Sequence, residues 1–559
     1  MKLEVVRRRI AFLVAFCAAA VTLLISPGTS LDPINLIKIL ALGAIGFALI
    51  PLTIIVARHS KDGNLRLLYL IALAFVGWML IVVLVTDSPV NQQIWGVFGR
   101  NTGMFTYFSL TAVLVAAATV QLQSRHALLV RSLLFTSIPV LVYAIIQTIG
   151  RDPVAWSQMA PFGTLGNINF SSAFFGMSAV AMTAIAIGPN LRLSFRLLLI
   201  ALVVIKIMIV GLTGSIQGLM IYVAGTAVAL YFFVVSKPKL RSFRIPYLAL
   251  SGIGFLSAGA GLLNQGPLAR FIFGETVLFR YDYWYAGWMM TLRNPVFGVG
   301  LDSYGDWYRE LRGEVATLRT VPDRITNSAH NIYLDISAGG GFPLLFLYLA
   351  MLGLAFASIL GHLRQKREFD TTFVVLASVW VAYVVQAGIS INQVGVGVWG
   401  WAITGALIGY RRQSVPSERR NREADKKLKS STDQLPVIAS LSSILSFAIG
   451  FSFAFIPYQA DARIRDAQES GSLSSVFSAS KSLGATAYHL ELALDLAIQA
   501  NDVGQAQAIM NELLVRYPRD FMAWRVKQTL ATSTLTEREE AYRRLLELDP
   551  YNPDIKPFE

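Results

Sequence analysis

LLYLIALAFVGWMLIVVLVT, residues Leu67 to Thr86, carries no charge along its whole length and shows no alternation of polar and apolar faces. About 20 such residues are needed for a helix to cross the hydrocarbon layer of a bilayer, and a helix that is apolar all round must be covered by lipid or by other helices. Similar runs lie near 10–26, 34–56, 103–122, 129–149, 169–187, 196–212, 216–235, 245–263, 342–360, 371–389, 394–410 and 436–456. The fold expected is all-α: a polytopic membrane helix bundle of about 12–13 transmembrane helices. The first run follows a basic start (Lys2, Arg7, Arg8, Arg9) as a signal peptide would, but another long run opens at Ile34, so it reads as a retained first span. Only Thr213-Gly214-Ser215 separates the seventh and eighth runs, which leaves a hairpin and one broken helix both open.

The composition agrees. Of 559 residues 54% are hydrophobic and 15% charged, more apolar surface than one soluble core can hide. Cys17 is the single cysteine, so no disulfide framework or zinc knuckle is available. A net charge of +14 in a membrane protein is mostly loop charge that sets orientation, and nucleic acid is not expected as a partner. The cations gather in alternate segments: Arg58, Lys61 and Arg66; Arg125 and Arg131; Arg192 and Arg196; Lys237, Lys239, Arg241 and Arg244; Arg364, Lys366 and Arg367; and residues 411–435. By the positive-inside rule these segments and the N-terminus are cytoplasmic, and an odd number of spans leaves the C-terminal region outside.

The expected organisation is a membrane domain at 1–456 with a large extracytoplasmic loop at 264–341 and a basic cytoplasmic linker at 411–435. A small extracytoplasmic helical-repeat domain follows at 457–559. In that tail LLVRYPRD (513–520) is echoed by LLELDPYN (545–552) with a period of 32, near the tetratricopeptide unit of about 34 residues. A plain helical hairpin packed on the membrane domain is the alternative.

Topology also sorts the five histidines. His59, His126 and His362 fall in cytoplasmic turns and His489 in the tail. His330 alone sits in an extracytoplasmic loop of the membrane domain, just before the tenth span. A neutral imidazole there can take a proton from a hydroxyl, and a placed general base contributes about 10²–10⁴-fold; capping a helix or bonding a loop carbonyl is the plainer reading. The same loop holds Arg270, Arg280, Arg293, Arg309, Arg312, Arg319 and Arg324, while the short outer loops carry Arg100 and Arg151. Arginine's planar fork suits phosphate oxygens, so the cluster fits a lipid-linked phosphate or diphosphate, or else simple headgroup contact. Asn294 to Gly300 (NPVFGVG) reads as a close backbone bend, and Trp284, Tyr285, Trp288, Trp307 and Tyr308 as an interfacial belt or a platform for sugar rings. No carboxylate pair, His-x-x-x-His, phosphate loop or nucleophile elbow is present, so no metal or cofactor is expected.

As an ordered set, several segments resemble the O-antigen ligase and polymerase superfamily of bacterial envelope glycan transferases. They are Arg280-Tyr281-Asp282-Tyr283-Trp284 leading into Thr291 to Gly300, then His330-Asn331-Ile332-Tyr333-Leu334, then Ala338 to Pro343. Gly99-Arg100 with Gly103 and Tyr107, Gly163 to Phe170, and Ser390-Ile391-Asn392 before Trp399 extend the resemblance over roughly residues 90 to 410. It implies transfer of a glycan from a polyprenyl-diphosphate carrier to an acceptor hydroxyl of a lipid, glycan or protein, at the outer face of a bacterial cytoplasmic membrane. It implies further that His330 is the general base and that Arg280 holds the diphosphate. Family ligases usually carry a second phosphate-binding arginine near the end of the seventh span. Here Thr213 to Gly218 has none; Gln217 can donate hydrogen bonds, and Arg100 or Arg270 can supply charge, with Asn331 a further substrate-binding candidate. The tail is not part of the family core and suits an envelope protein partner. A transporter of lipid-linked or anionic envelope precursors is the alternative function, weakened by the scarcity of ionisable residues in the spans, Lys206 being the main exception.

Overall fold

The computed structural model describes residues 2–60, 62–121, 123–156, 161–319, 322–365, 368–410 and 435–557. Lys61, Lys366, Arg367 and, Leu435 apart, the basic segment 411–435 lie outside the described residues. Among the described residues there is no strand. Each apolar run is a helix: α1 (Lys2–Leu23), α2 (Asn35–Arg58), α3 (Gly63–Val85) and, after a short α4 (Val90–Trp95), α5 (Met104–Thr119), α6 (Gln123–Thr148), α7 (Ile168–Ala186), α8 (Leu193–Leu212), α9 (Ile216–Ser236) and α10 (Arg244–Leu262). The long loop folds into α11 (Ala269–Ile272), α12 (Glu275–Arg293), α13 (Tyr304–Leu311) and α14 (Glu314–Arg319). The bundle then resumes with α15 (Ile332–Arg364), α16 (Thr371–Ala387), α17 (Val394–Gly409) and α18 (Leu435–Glu469).

Nine of these helices among the described residues are long and apolar enough to cross a membrane: α2, α3, α6 to α10, α15 and α18. The protein is a polytopic helical membrane protein. The faces left uncovered are apolar, as with Leu70, Leu73 and Leu84 on α3 or Ile253, Phe255 and Leu256 on α10. With 16 residues, α5 and α17 reach only about 24 Å, short of the hydrocarbon thickness, but every residue of α17 is buried. Protein rather than lipid covers their ends. Small residues let the helices close up: Gly405 and Gly409 of α17 face the Leu114 and Ala118 carbonyls of α5, and Gly450 of α18 faces the backbone of Gly43 in α2. Lys206 is buried with Nζ 2.9 Å from Ser178 Oγ; Lys38, a second buried lysine, donates to the Thr22 and Leu24 carbonyls at 2.9 and 2.8 Å.

Three features differ from the simplest expectation or settle an open one. The seventh and eighth runs form two helices, with Gly214 in the left-handed region (φ 66°) at the turn. The helix of the thirteenth run, α18, does not stop near Pro457 but runs on to Glu469, because Ala460 and Ile464 are buried in the core of the tail. After it come α19 (Leu473–Ser480), α20 (Ala487–Gln499), α21 (Val503–Arg516), α22 (Phe521–Thr529) and α23 (Leu535–Leu548), each packed on the next.

The third feature shapes the site. α15 begins ten residues before its apolar run and breaks at Gly341 (φ 72°, ψ −179°). In an unbroken helix Phe342 N–H would donate to the Ala338 carbonyl. Instead Val299 N–H donates to Ala338 O at 2.7 Å, and Phe342 N–H donates to Pro295 O at 2.8 Å. The NPVFGVG bend is inserted into the broken ladder. Trp78 Nε1–H adds a bond to Gly340 O at 2.9 Å.

A Cβ on Gly341 would strike the Val296 carbonyl, in a backbone region open essentially to glycine alone. Gly341→Ala is expected to cost at least about 1–3 kcal/mol. Thermal unfolding in detergent should show a lowered midpoint, whereas Gly353→Ala, on the same helix and facing open space, should leave it unchanged or raised. Equal midpoints for wild type and Gly341→Ala would contradict the role given to the break.

Candidate active site

His330 stands at the end of a short segment fastened by one carboxylate. Asp335, in the first turn of α15, accepts Ser328 Oγ–H at 2.8 Å and Ala329 N–H at 2.7 Å. His330 N–H in turn donates to Ser328 Oγ at 2.9 Å. The result is a non-glycine residue held at φ 51°, a conformation that persists only when its surroundings impose it. Asn331 is the N-cap of α15, its side chain accepting the Tyr333 and Leu334 N–H groups at 3.0 and 3.2 Å.

Arg280 comes from α12, whose positions 280, 283 and 287 share a face. Tyr283 places its ring 5.3 Å from the imidazole. Gly287 leaves the room that Ala329 and Tyr304 occupy: a Cβ there would lie 3.3 and 3.2 Å from them. The third basic group, Arg100, is carried by the loop between α4 and α5. Asp302 shapes that loop by accepting Val97 N–H, Thr102 N–H and Thr102 Oγ–H at 2.9, 3.1 and 2.8 Å. Arg100 is buried, donates to the Asn327 carbonyl and side chain, and lies 3.6 Å from Asp335.

Together His330, Arg280 and Arg100 line a cleft of about 470 Å³, whose walls include Asn35, Asn169, Trp156 and Phe170. His330 Nδ1 lies 3.3 Å from the Ser328 carbonyl, which fixes the proton on Nδ1 and leaves the Nε2 lone pair without a partner among the described residues. Burial, then the positive charge of Arg100 and of Arg280, push its pKa down to about 4. The ring is therefore neutral at physiological pH. Arg280 has no hydrogen bond or ion pair with another described residue; burial lowers its pKa, but a guanidinium keeps its proton.

The other arginines of the loop do not join it. Arg319 pairs with Asp282 at 2.6 Å, Arg293 with Glu310, and Arg309 and Arg312 with Asp549. Arg270 is exposed over the ring of Phe271, and Gln217 is buried outside the cleft lining with neither amide atom paired. Asp335, Asn327 and Asn169 were not singled out in the sequence. Asp335 carried a signal all the same, a carboxylate in the first turn of a helix, where backbone N–H groups and the helix dipole favour it. Among the described residues no group of three or more His, Cys, Asp or Glu side chains is gathered to hold a metal ion.

The fold and cleft thus define a multi-pass membrane protein with a neutral imidazole and an uncommitted guanidinium at one end of its bundle. Residues 168–349 match the family model described as O-antigen ligase, and this stretch, from α7 to the middle of α15, is an O-antigen ligase domain. No curated protein matches the chain.

Asp335→Ala removes the acceptor of two bonds and the partner of a buried arginine. A loss of about 3–5 kcal/mol is expected for an uncompensated buried charge. Trypsin should then cut at Arg324 much faster than in wild type; unchanged cleavage would show that Asp335 does not hold this segment.

Proposed function

We propose that the protein is a glycosyltransferase of the O-antigen ligase type, joining a glycan carried on polyprenyl diphosphate to an acceptor hydroxyl at the outer face of the bacterial cytoplasmic membrane. The observation that carries this reading is the pairing, in one cleft, of an imidazole Nε2 and an arginine that have no hydrogen-bond or ion-pair partner among the described residues. The acceptor O–H gives its proton to His330 Nε2 as its oxygen bonds to the anomeric carbon. The bond from that carbon to the diphosphate oxygen breaks, and the electron pair leaves with polyprenyl diphosphate. Arg280 faces the charge that grows on this leaving group, where a preorganised cation is worth most. Arg100, already bonded to Asn327 and near Asp335, orients the cleft more than it grips substrate. The positive-inside reading of the loops supports the outer location, and the tail supplies a surface for an envelope partner.

His330→Ala and Arg280→Ala should each lower glycan transfer in proteoliposomes by about 10²-fold or more while folding normally. Transfer by either variant at the wild-type rate would remove that residue from the mechanism. The pH profile is a second test. Protonation consumes the base, so kcat/KM should hold steady as pH falls and drop only as His330 titrates near 4. Removing a neighbouring cation favours the protonated ring, so in Arg280→Gln the acid limb of the residual activity should move to higher pH. A limb at the same pH in both proteins would separate Arg280 from His330.

A further inference from the structure

α13 lies between the C-terminal helices and the segment that carries His330. Asp549, fully buried just after α23, takes Arg312 Nη2–H on its two oxygens at 2.8 and 2.6 Å and Arg309 Nη1–H at 3.0 Å. The Asn552 amide donates to the same carboxylate at 3.0 Å. Each arginine also reaches the chain that runs into His330: Arg309 Nη1 donates to Pro322 O at 3.0 Å and Arg312 Nη1 to Arg324 O at 3.3 Å. Two guanidinium groups thus staple a carboxylate of the tail to the backbone at 322–324. On its other side α13 meets the site: Tyr304 Oη–H donates to Tyr283 O at 2.6 Å, and the Tyr308 ring lies 5.8 Å from the Tyr283 ring beside His330.

The choice of residue is itself informative. Asp549 follows the last turn of α23 with φ −146° and ψ 72°, and Tyr517, 32 positions earlier, follows α21 with φ −130° and ψ 74°. A carboxylate at a helix C-terminus opposes the helix dipole, so in local terms the aspartate is the worse choice of the two. Its burial against Arg312, which is 1% exposed, supplies the compensation. Without Asp549 a buried guanidinium would be left unpaired and α13 would have to shift or admit water. Of the other contacts between tail and loop, Arg525 with Asp323 at 3.2 Å is exposed, and Arg519, which donates to Glu310 and to the Asp306 carbonyl, holds α13 without reaching the backbone at 322–324.

We infer that Asp549 is a positioning residue for glycan transfer: through Arg309 and Arg312 it fixes residues 322–330 and so the place of the imidazole. The inference rests on the reading of His330 as the base. It makes the C-terminal helices a support of the active site, although they lie outside the matched ligase domain.

Full-length wild type, Asp549→Asn, Asp549→Glu and His330→Ala are compared in proteoliposomes for transfer from polyprenyl-diphosphate glycan, and by amide hydrogen exchange over residues 322–330. Asp549→Asn should lose transfer rate at saturating donor by about tenfold or more, as misplaced catalytic groups do, with an unchanged KM for the donor. Its 322–330 amides should exchange faster, and its acid limb should move up from near 4 as His330 becomes less buried. Asp549→Glu, which restores the charge, should recover part of the rate. A wild-type rate in Asp549→Asn while His330→Ala is inactive overturns the role of Asp549 alone, whatever the exchange shows. Absence of transfer by the wild type overturns the reading of His330 as the base, and the inference with it; the exchange data then report on the clamp alone. Should Asp549→Asn fail to fold, Arg309→Gln, which leaves the buried Arg312–Asp549 pair intact, carries the same comparison.

Discussion

The break in α15 is tolerable at membrane depth only because another piece of backbone takes up the bonds that the helix gives up. An unsatisfied N–H or C=O in hydrocarbon costs several kcal/mol, so irregular backbone must be sealed by protein. Here the Pro295 carbonyl and the Val299 N–H complete the ladder between Ala338 and Phe342. That one exchange settles three positions. It ends α12 with Arg280 on the cleft and Tyr283 beside His330, it delivers Asp302 to the loop of Arg100, and it sets the first turns of α15 at the angle that presents Asp335 to the His330 segment.

Charge is distributed so that most cations are spent before any substrate arrives. Arg293, Arg309, Arg312 and Arg319 are paired with carboxylates: the first and last tie the loop to itself, and the middle two tie it to the tail. A buried pair is a poor source of net stability but a strict one for geometry, because removing either partner strands the other. Arg280 is the exception in the cleft. A cation kept partly buried and unpaired among the described residues is costly on its own account, and the cost is explicable where a ligand of opposite charge is to occupy the site.

How much of this was legible in the sequence follows from the range of the interactions involved. Runs such as Leu67 to Thr86 announce their helices because apolar length is a property of the segment itself. His330 stood out by topology, as the single histidine in an outer loop of the membrane domain, and Arg280 by its motif. The glycine-rich character of residues 294–300 and 338–341 was visible, but not that each fills the gap in the other. The arginine cluster gave a misleading picture for the same reason: in sequence it is one basic stretch beside a membrane, and only the fold brings Glu310, Asp282 and the distant Asp549 to neutralise most of it. Asn331, adjacent to the histidine, turned out to cap a helix, a role that its neighbours in sequence permit as readily as substrate contact.

The low basicity of His330 at first sight argues against a base, since a weaker base takes a proton less readily. Its causes change that conclusion. Burial accounts for the largest part, and the remainder comes from Arg100 and Arg280, the second of which has no hydrogen bond or ion pair among the described residues. An anion settling on Arg280 would cancel part of that field, and each pK unit regained is worth about 1.4 kcal/mol in proton affinity. On the proposed reading the imidazole therefore stays neutral and weak while the cleft is empty, and gains strength once the donor's diphosphate is in place. An acceptor hydroxyl arriving first meets a poor base, and one arriving second meets a better one. The electrostatics of the cleft thus strengthen the base when the donor is bound, without a lid or any other moving part.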